Sequence, residues 1–167
     1  VEREKAEESR KAEEARKAEE ARKAEEEKKR RESVSDKEVR QPGTNLYWLR
    51  CPVGQTWSGS SCIGEAKEMK WEEAKRACPS GYRLPTREEF VALLGECDSN
   101  VRAGKHGHCN NCANSSSCSS MFPGDTRWYW SSSPYGDNLA WSANFANGGV
   151  DGYHLGDYDV RCMRSGP

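Results

Sequence analysis

No stretch of this 167-residue chain approaches the ~20 consecutive apolar residues that a membrane-spanning helix needs. Nor does an apolar signal-peptide core follow Val1, so an export signal is expected outside the sequence. Excess charge of either sign is also missing: 26 Lys+Arg stand against 27 Asp+Glu, for a net charge of −1. A chain so balanced lacks the basic surplus that binding to phosphate backbones requires, and nucleic acid is not an expected partner. Residues 1–40 contain no Cys, no Gly and no aromatic residue, which excludes a packed core there.

What is present divides accordingly. Residues 1–40 hold fourteen of the basic and fourteen of the acidic residues, while all 8 Cys, 6 Trp, 6 Tyr and 15 Gly lie from Pro42 onward. The reading is a charged helical stalk over residues 1–40, a linker over 41–46 and one globular domain over 47–167 that carries the net −1. The stalk is a six-residue near-repeat, Arg10-Lys11-Ala12-Glu13-Glu14-Ala15 and onward, of strong helix formers. Glu7/Lys11, Glu13/Lys17, Glu19/Lys23 and Glu25/Lys29 are spaced for favourable pairs one turn apart. Ala12, Ala15, Ala18, Ala21 and Ala24 recur every third residue and so rotate around the helix, leaving no heptad seam. This pattern suits a solvated spacer, roughly 48 Å long for 32 helical residues, better than a coiled-coil zipper. Ser33 to Thr44, with Gln41-Pro42-Gly43, is where the helix is expected to stop.

An even number of cysteines in a Gly-, Ser- and Asn-rich domain implies a disulfide framework and an oxidising compartment, hence an extracellular or cell-surface protein. Cys51 and Cys62 flank a Gly-rich turn and are expected to pair. Cys97, Cys109, Cys112 and Cys118 allow three pairings, and with His106 and His108 beside them a zinc loop is the competing reading.

Within the domain, Trp71, Ala74, Ala77 and Cys78 share one face of a short helix that Pro79-Ser80-Gly81 ends. A second helix follows Pro85, with Thr86 as N-cap, Glu89 completing a capping box, and Phe90, Leu93 and Leu94 as its buried face. Strands are expected over Leu46 to Arg50 and Ser61 to Glu65, then near 128–133, 139–146, 149–154 and 157–164. Two helices on a small, mostly antiparallel sheet make an α+β domain.

The ordered series Trp71-x-x-Ala74 to Cys78, Gly81-Tyr82-Arg83-Leu84-Pro85-Thr86-x-x-Glu89, Trp128-Tyr129-Trp130-Ser131-Ser132-Ser133, Ala140-Trp141-x-x-x-Phe145, Gly148 and Val160-Arg161-Cys162-Met163-Arg164 resembles the C-terminal domain family of the Legionella collagen-like protein. The resemblance spans residues 47 to 164. It implies a C-type-lectin-like fold used as an adhesive tip on bacterial surfaces and fibres, often as a trimer. It further implies that Cys78 pairs with Cys162, closing a loop that in the chain-entropy treatment stabilises by roughly 4 to 5 kcal/mol.

The same wider fold includes formylglycine-generating enzymes, but here each Cys has a disulfide partner to go to, and no triad assembles around His106 and His108. Catalytic residues and cofactors are therefore not expected. Arg161 and Arg164 read as ion-pair or surface groups, with Asp157 and Asp159 as candidate partners. Adhesin or receptor-binding tip leads, ahead of a structural subunit of a trimeric fibre and of an enzyme.

The ligand, a glycan or protein on a host, prey or neighbouring cell surface, is expected to contact Tyr135, Asp137, Asn138, Ser142, Asn144, Asn147, Asp151, Tyr153 and His154, with Trp128 at the rim. If Trp141, Ala143 and Phe145 point inward, Ser142 and Asn144 point outward by strand alternation. Tyr, Asn, Ser and Gly are also the residues of adaptable binding surfaces. With no Lys/Arg cluster in the sequence, a neutral glycan or a protein suits the domain better than a sulfated polysaccharide. The Glu-Pro-Asn and Trp-Asn-Asp motifs of calcium lectins are missing, so the melting temperature is expected to be equal in calcium and in chelator. A calcium-dependent rise would assign Asp151, Asp157 and Asp159 to a cation.

Overall fold

The computed structural model describes residues 2–152 and 155–166, without the side chains of residues 2, 4 and 33–35. It contains two compact units, Val1–Asp36 and Lys37–Pro167. The first is helix α1, Glu2–Lys37. From residue 5 to 32 its side chains are exposed except for Glu19 and Glu27, which are half-buried. The four expected pairs form, at 2.9, 2.7, 3.5 and 3.8 Å in chain order. Arg30 and Arg31 converge on Glu27 and hold its carboxyl below the usual range. With no apolar stripe, α1 is a helix maintained by propensity and charge pairs rather than by burial.

The stalk expected to reach residue 40 is shorter. Glu38–Arg40 leaves the helix and becomes strand β1, paired with β2 (Leu46–Leu49), which in turn pairs with the C-terminal strand. The reason is chemical: Glu38 is 6% exposed and accepts from Arg164 Nη2 at 2.8 Å, an ion pair with the last strand inside the globular unit. Beyond β2 come a two-residue hairpin, β3 (Thr56–Trp57) and β4 (Cys62–Ile63), and the helical turn α2 (Trp71–Ala74). The helix expected to run to Cys78 thus closes after one turn. Helix α3 (Arg87–Leu94) opens with a complete capping box, Thr86 Oγ1 accepting from Glu89 N at 3.1 Å and Glu89 Oε1 from Thr86 N at 2.9 Å. Burial pushes the Glu89 carboxyl up, but Arg83 and the Thr86 N–H outweigh it and hold it below its ordinary value.

The Ser/Asn-rich middle carries two further short helices, α4 (Ser99–Arg102) and α5 (Ser116–Met121), with strand β5 (Gly107–His108) and a 3₁₀ turn (Cys112–Asn114) between them. Asp98 and Ser115 cap the two helices. Strands β6 (Trp128–Pro134), β7 (Ala140–Asn144), β8 (Gly149–Asp151) and β9 (Met163–Ser165) complete the chain. Besides the two-stranded β3-β4 hairpin, two sheets form among the described residues, β1-β2-β9 and β5-β8-β7-β6, both antiparallel. Gly148 has φ +77, and a Cβ there would meet Cys109 O at 2.1 Å, so only glycine permits this approach of the cysteine loop to the turn before β8.

Two apolar clusters flank the larger sheet. Trp48, Phe90, Leu93, Tyr129, Phe145 and Met163 belong to the main one. Met69, Ala74, Leu84, Trp130, Val160 and Cys162 belong to the second. Four disulfides join them to the loops: Cys51–Cys62, Cys78–Cys162, Cys97–Cys109 and Cys112–Cys118. Joined in pairs, the last four sulfurs have no thiolate to offer the zinc loop weighed from sequence. Replacing Cys78 and Cys162 together by Ala is expected to cost about 4–5 kcal/mol of unfolding free energy, because a separation of 84 residues is closed. Guanidinium denaturation of the oxidised proteins measures it.

Candidate functional site

The face expected from sequence does not form as a unit. Strand β7 is buried along its whole length, with Ser142 1% and Asn144 6% exposed. The outward assignment of these two fails because Ser142 lies opposite Trp130, a member of the second cluster, so both faces of the strand are covered. Ser142 Oγ donates to Asp151 O at 3.1 Å, and Asn144 Oδ1 accepts from Ala146 N at 2.8 Å. Both side chains stabilise backbone. Asn147 is exposed, yet its Oδ1 likewise holds the turn by accepting from Gly149 N at 2.8 Å. Asp137 and Asn138 lie exposed at a turn where Asn138 takes φ +58. Tyr153 and His154 fall outside the described residues.

Tyr135 and Asp151 meet around a histidine. The His106 ring packs 5.0 Å from Tyr135 and 4.9 Å from Trp141, centre to centre. Its Nδ1 accepts from Gly152 N at 3.2 Å and lies 3.3 Å from Asp151 Oδ1. Beneath, the Arg87 guanidinium sits 4.5 Å over Trp141 and Nη2 donates to Val101 O and Lys105 O. These contacts form a small aromatic and charged core that fixes Tyr135 at the surface.

A second place has the shape of a binding site, and sequence reading missed it. A cleft of about 580 Å³ opens between Arg50–Trp57, the β3–β4 hairpin and the 120–127 segment. Trp57 is half-buried on the hairpin that Cys51–Cys62 closes. The Arg50 guanidinium stands 5.0 Å over its ring. Gln55, Ser60, Ser61 and Thr126 add amide and hydroxyl groups, and Met121, Phe122 and Pro123 an apolar wall.

Arg161 anchors the cleft. It is 2% exposed, and it does not pair with Asp157 or Asp159 as expected from sequence but with Asp125, Nη2 to Oδ2 at 2.6 Å. Its Nη1 donates to Leu49 O at 3.1 Å and Arg50 O at 3.0 Å, and its plane lies 3.8 Å from the Phe122 ring centre. Burial alone would favour losing the proton, yet Tyr129 and Asp125 hold it and raise the pKa. The Tyr129 hydroxyl, pushed up chiefly by burial, stays protonated and donates to Asp125 Oδ2 at 2.7 Å. Arg164 pairs with Glu38, and Asp157 with Lys70 at 2.9 Å.

Among the described residues no group of three His, Cys, Asp or Glu side chains is placed to hold a metal. The hydroxyls that line the cleft have no histidine beside them. Such a frame, a small antiparallel sheet with helices on its flank, loops locked by disulfides and a polar cleft at one edge, defines an α+β domain consistent with the C-type-lectin-like kind. The chain belongs to the family described as the Lcl C-terminal domain, that of the Legionella collagen-like protein, matching it over residues 37–164. No curated protein and no solved structure matches the chain. The match begins at Lys37, where the helical unit gives way to β1. Four disulfides and this family fit an extracellular or surface setting. Among the described residues no helix is long and apolar enough to cross a membrane.

One carboxylate near the cleft has a testable titration. Asp159 is 3% exposed; burial raises its pKa, Glu68 and Asp125 add to the rise, and Arg127 at 3.7 Å only partly opposes it. The folded state thus binds this proton more tightly than the unfolded chain. Stability falls as pH climbs from the ordinary carboxylate range through the raised value, and the penalty is complete above it. Asp159→Asn is expected to raise the melting temperature at neutral pH and to lose that advantage near about pH 3, where the wild-type carboxyl is protonated in both states. Melting curves at the two pH values check it.

Proposed function

We propose that the domain is an extracellular adhesive or receptor-binding module that holds a saccharide or polar ligand of another surface in the Trp57 cleft. The observation that carries this reading is the cleft itself. It gives a partly exposed indole, guanidinium, amide and hydroxyl groups on a wall of apolar side chains, at a volume in the range of small-molecule sites. An aromatic ring takes the C–H face of a sugar or an apolar side chain, and the convergent polar groups fix orientation. The disulfide closing the hairpin lowers the entropy lost on binding, since Trp57 is held in place beforehand. The helix fits a spacer: its ion pairs form within itself and its sequence shows no apolar stripe for assembly into a fibre.

A second contact area is supported by the aromatic group of His106, Tyr135 and Trp141, which presents Tyr135 in the same turn as the exposed Asp137 and Asn138. A glycan array and a pull-down on cell-surface extracts separate the two. Trp57→Ala is expected to weaken binding by about 30-fold, the loss of a central aromatic anchor worth ~2 kcal/mol, while Tyr135→Ala leaves it within about 3-fold. The opposite ranking would move the site to the Tyr135 rim.

A further inference from the structure

We propose that the Cys51–Cys62 disulfide is a site of exchange with low-molecular-weight thiols, and that its opening releases the hairpin that holds Trp57 in the cleft. This rests on the reading of the cleft as the binding site and names what regulates it. Exchange requires a thiolate to reach a sulfur, so access decides which bond yields first. Each of the other three disulfides draws on a core cysteine: Cys97, Cys109, Cys112 and Cys118 belong to the main apolar cluster, and Cys162 to the second, with Cys78 packed against it. These bonds yield through local opening of a core. Cys51 and Cys62 belong to neither cluster; both are half-buried, and Cys62 lines the cleft of about 580 Å³. A small thiol has an open approach to this bond.

What the bond holds has little else to hold it. Strands β3 and β4 pair over two residues only, Thr56 with Ile63 and Trp57 with Cys62. Among the described residues, the other hydrogen bonds of residues 55–61 stay inside the hairpin: Gln55 N donates to Pro52 O, Gln55 Nε2 to Gly64 O, and Ser58 bonds with Ser60 and Ser61. The base of the hairpin, by contrast, is fixed to the frame, since Arg50 O accepts from Arg161 Nη1 at 3.0 Å and Val53 N donates to Val160 O at 2.8 Å. The disulfide joins this anchored base, at Cys51, to the residue that faces Trp57 across the hairpin, Cys62. Once it is cut, two backbone pairs and the Arg50–Trp57 contact remain, too little to keep a two-stranded hairpin ordered in water.

The chemistry balances with two small thiols. The thiolate of the first attacks Cys62 Sγ from the cleft; a mixed disulfide forms, the Cys51–Cys62 bond breaks, and Cys51 leaves as a thiolate that takes up a proton. The second attacks the sulfur of the first, forming the small disulfide and releasing Cys62 in the same way. Two electrons pass from the small thiols to the two cysteines. A small disulfide run through the same steps in reverse closes the hairpin again.

The test treats the full chain with reduced glutathione, quenches aliquots with iodoacetamide and maps the labelled cysteines by mass spectrometry. Cys51 and Cys62 are expected to be labelled at least about 10-fold faster than any other pair, because the others wait on local unfolding. The glutathione adduct is expected on Cys62. Binding on the glycan array and to cell-surface extracts is expected to fall about 30-fold in the opened protein, the loss that Trp57→Ala gives, and to return with oxidised glutathione. Cys51→Ser combined with Cys62→Ser is expected to bind as weakly with thiol as without. If that variant does not melt cooperatively, the emission of Trp57, taken as wild type less Trp57→Phe, reports the release and is expected to shift to the red on opening. Labelling of all four pairs at one rate, or of Cys78 and Cys162 first, overturns the exchange site. Opening of Cys51–Cys62 that leaves binding and Trp57 emission unchanged overturns the release. Binding that Trp57→Ala does not change in the untreated protein removes the cleft reading, and the labelling order and Trp57 emission then decide the exchange and the release without it.

Discussion

A single buried cation holds this domain to its shape. Arg161 lies two charged hydrogen bonds and two backbone carbonyls deep, joined to Asp125, Tyr129, Leu49 and Arg50 and stacked on Phe122. Its partners come from three regions of the chain: the end of β2, the segment before β6, and β6 itself. Desolvating a guanidinium costs several kcal/mol unless its donors are answered; Nη1 and Nη2 of Arg161 are, while its buried Nε has no hydrogen-bond partner among the described residues, and removing a partner of either Nη leaves more of that cost unopposed. The carbonyls of Leu49 and Arg50 are therefore held where the cation needs them, and with them the start of the hairpin that carries Trp57. The cleft is a by-product of satisfying Arg161.

The two units solve the problem of charge in opposite ways. In α1 the ion pairs lie in water between side chains about one turn apart, each adding a few tenths of a kcal/mol. In the globular unit the ion pairs that matter, Glu38 with Arg164 and Asp125 with Arg161, lie inside and join distant segments. The first arrangement supports extension without partners. The second fixes one tertiary structure, since a misplaced strand would strand a buried charge.

Much of the frame was legible in the sequence because its causes are local. Thr86 and Glu89 state a capping box within four residues, and the i to i+4 pairs of the arm are set by spacing alone. Alternation in β7 was also legible, with Trp141, Ala143 and Phe145 facing the main core. What covers the other face was not: Ser142 and Asn144 are buried because Trp130 and its cluster lie across them, a tertiary fact with no local sign. The cleft was illegible for the same reason. Its residues are drawn from positions 50–62, 120–127 and 161, and a cluster of arginines appears only once the chain is folded. Asp98 and Ser115 did carry cap chemistry, but each precedes a run too polar to suggest a helix.

The Cys51–Cys62 bond has a consequence beyond stability. It closes a loop with a sequence separation of 11 around Gly54, Trp57 and Ser60 and so isolates those residues covalently from the frame on either side. Residues between the two cysteines contribute little to either apolar cluster, Val53 packing at the edge of the second. Substitution at the exposed positions of this ring alters the wall of the cleft, whereas Gly54, whose Cβ would meet the backbone of Glu65 and Lys67, and Val53, bonded through its backbone to Val160 and Lys67, tie the ring to the frame. The domain thus carries a covalently closed ring at one edge whose exposed positions are separate from the core.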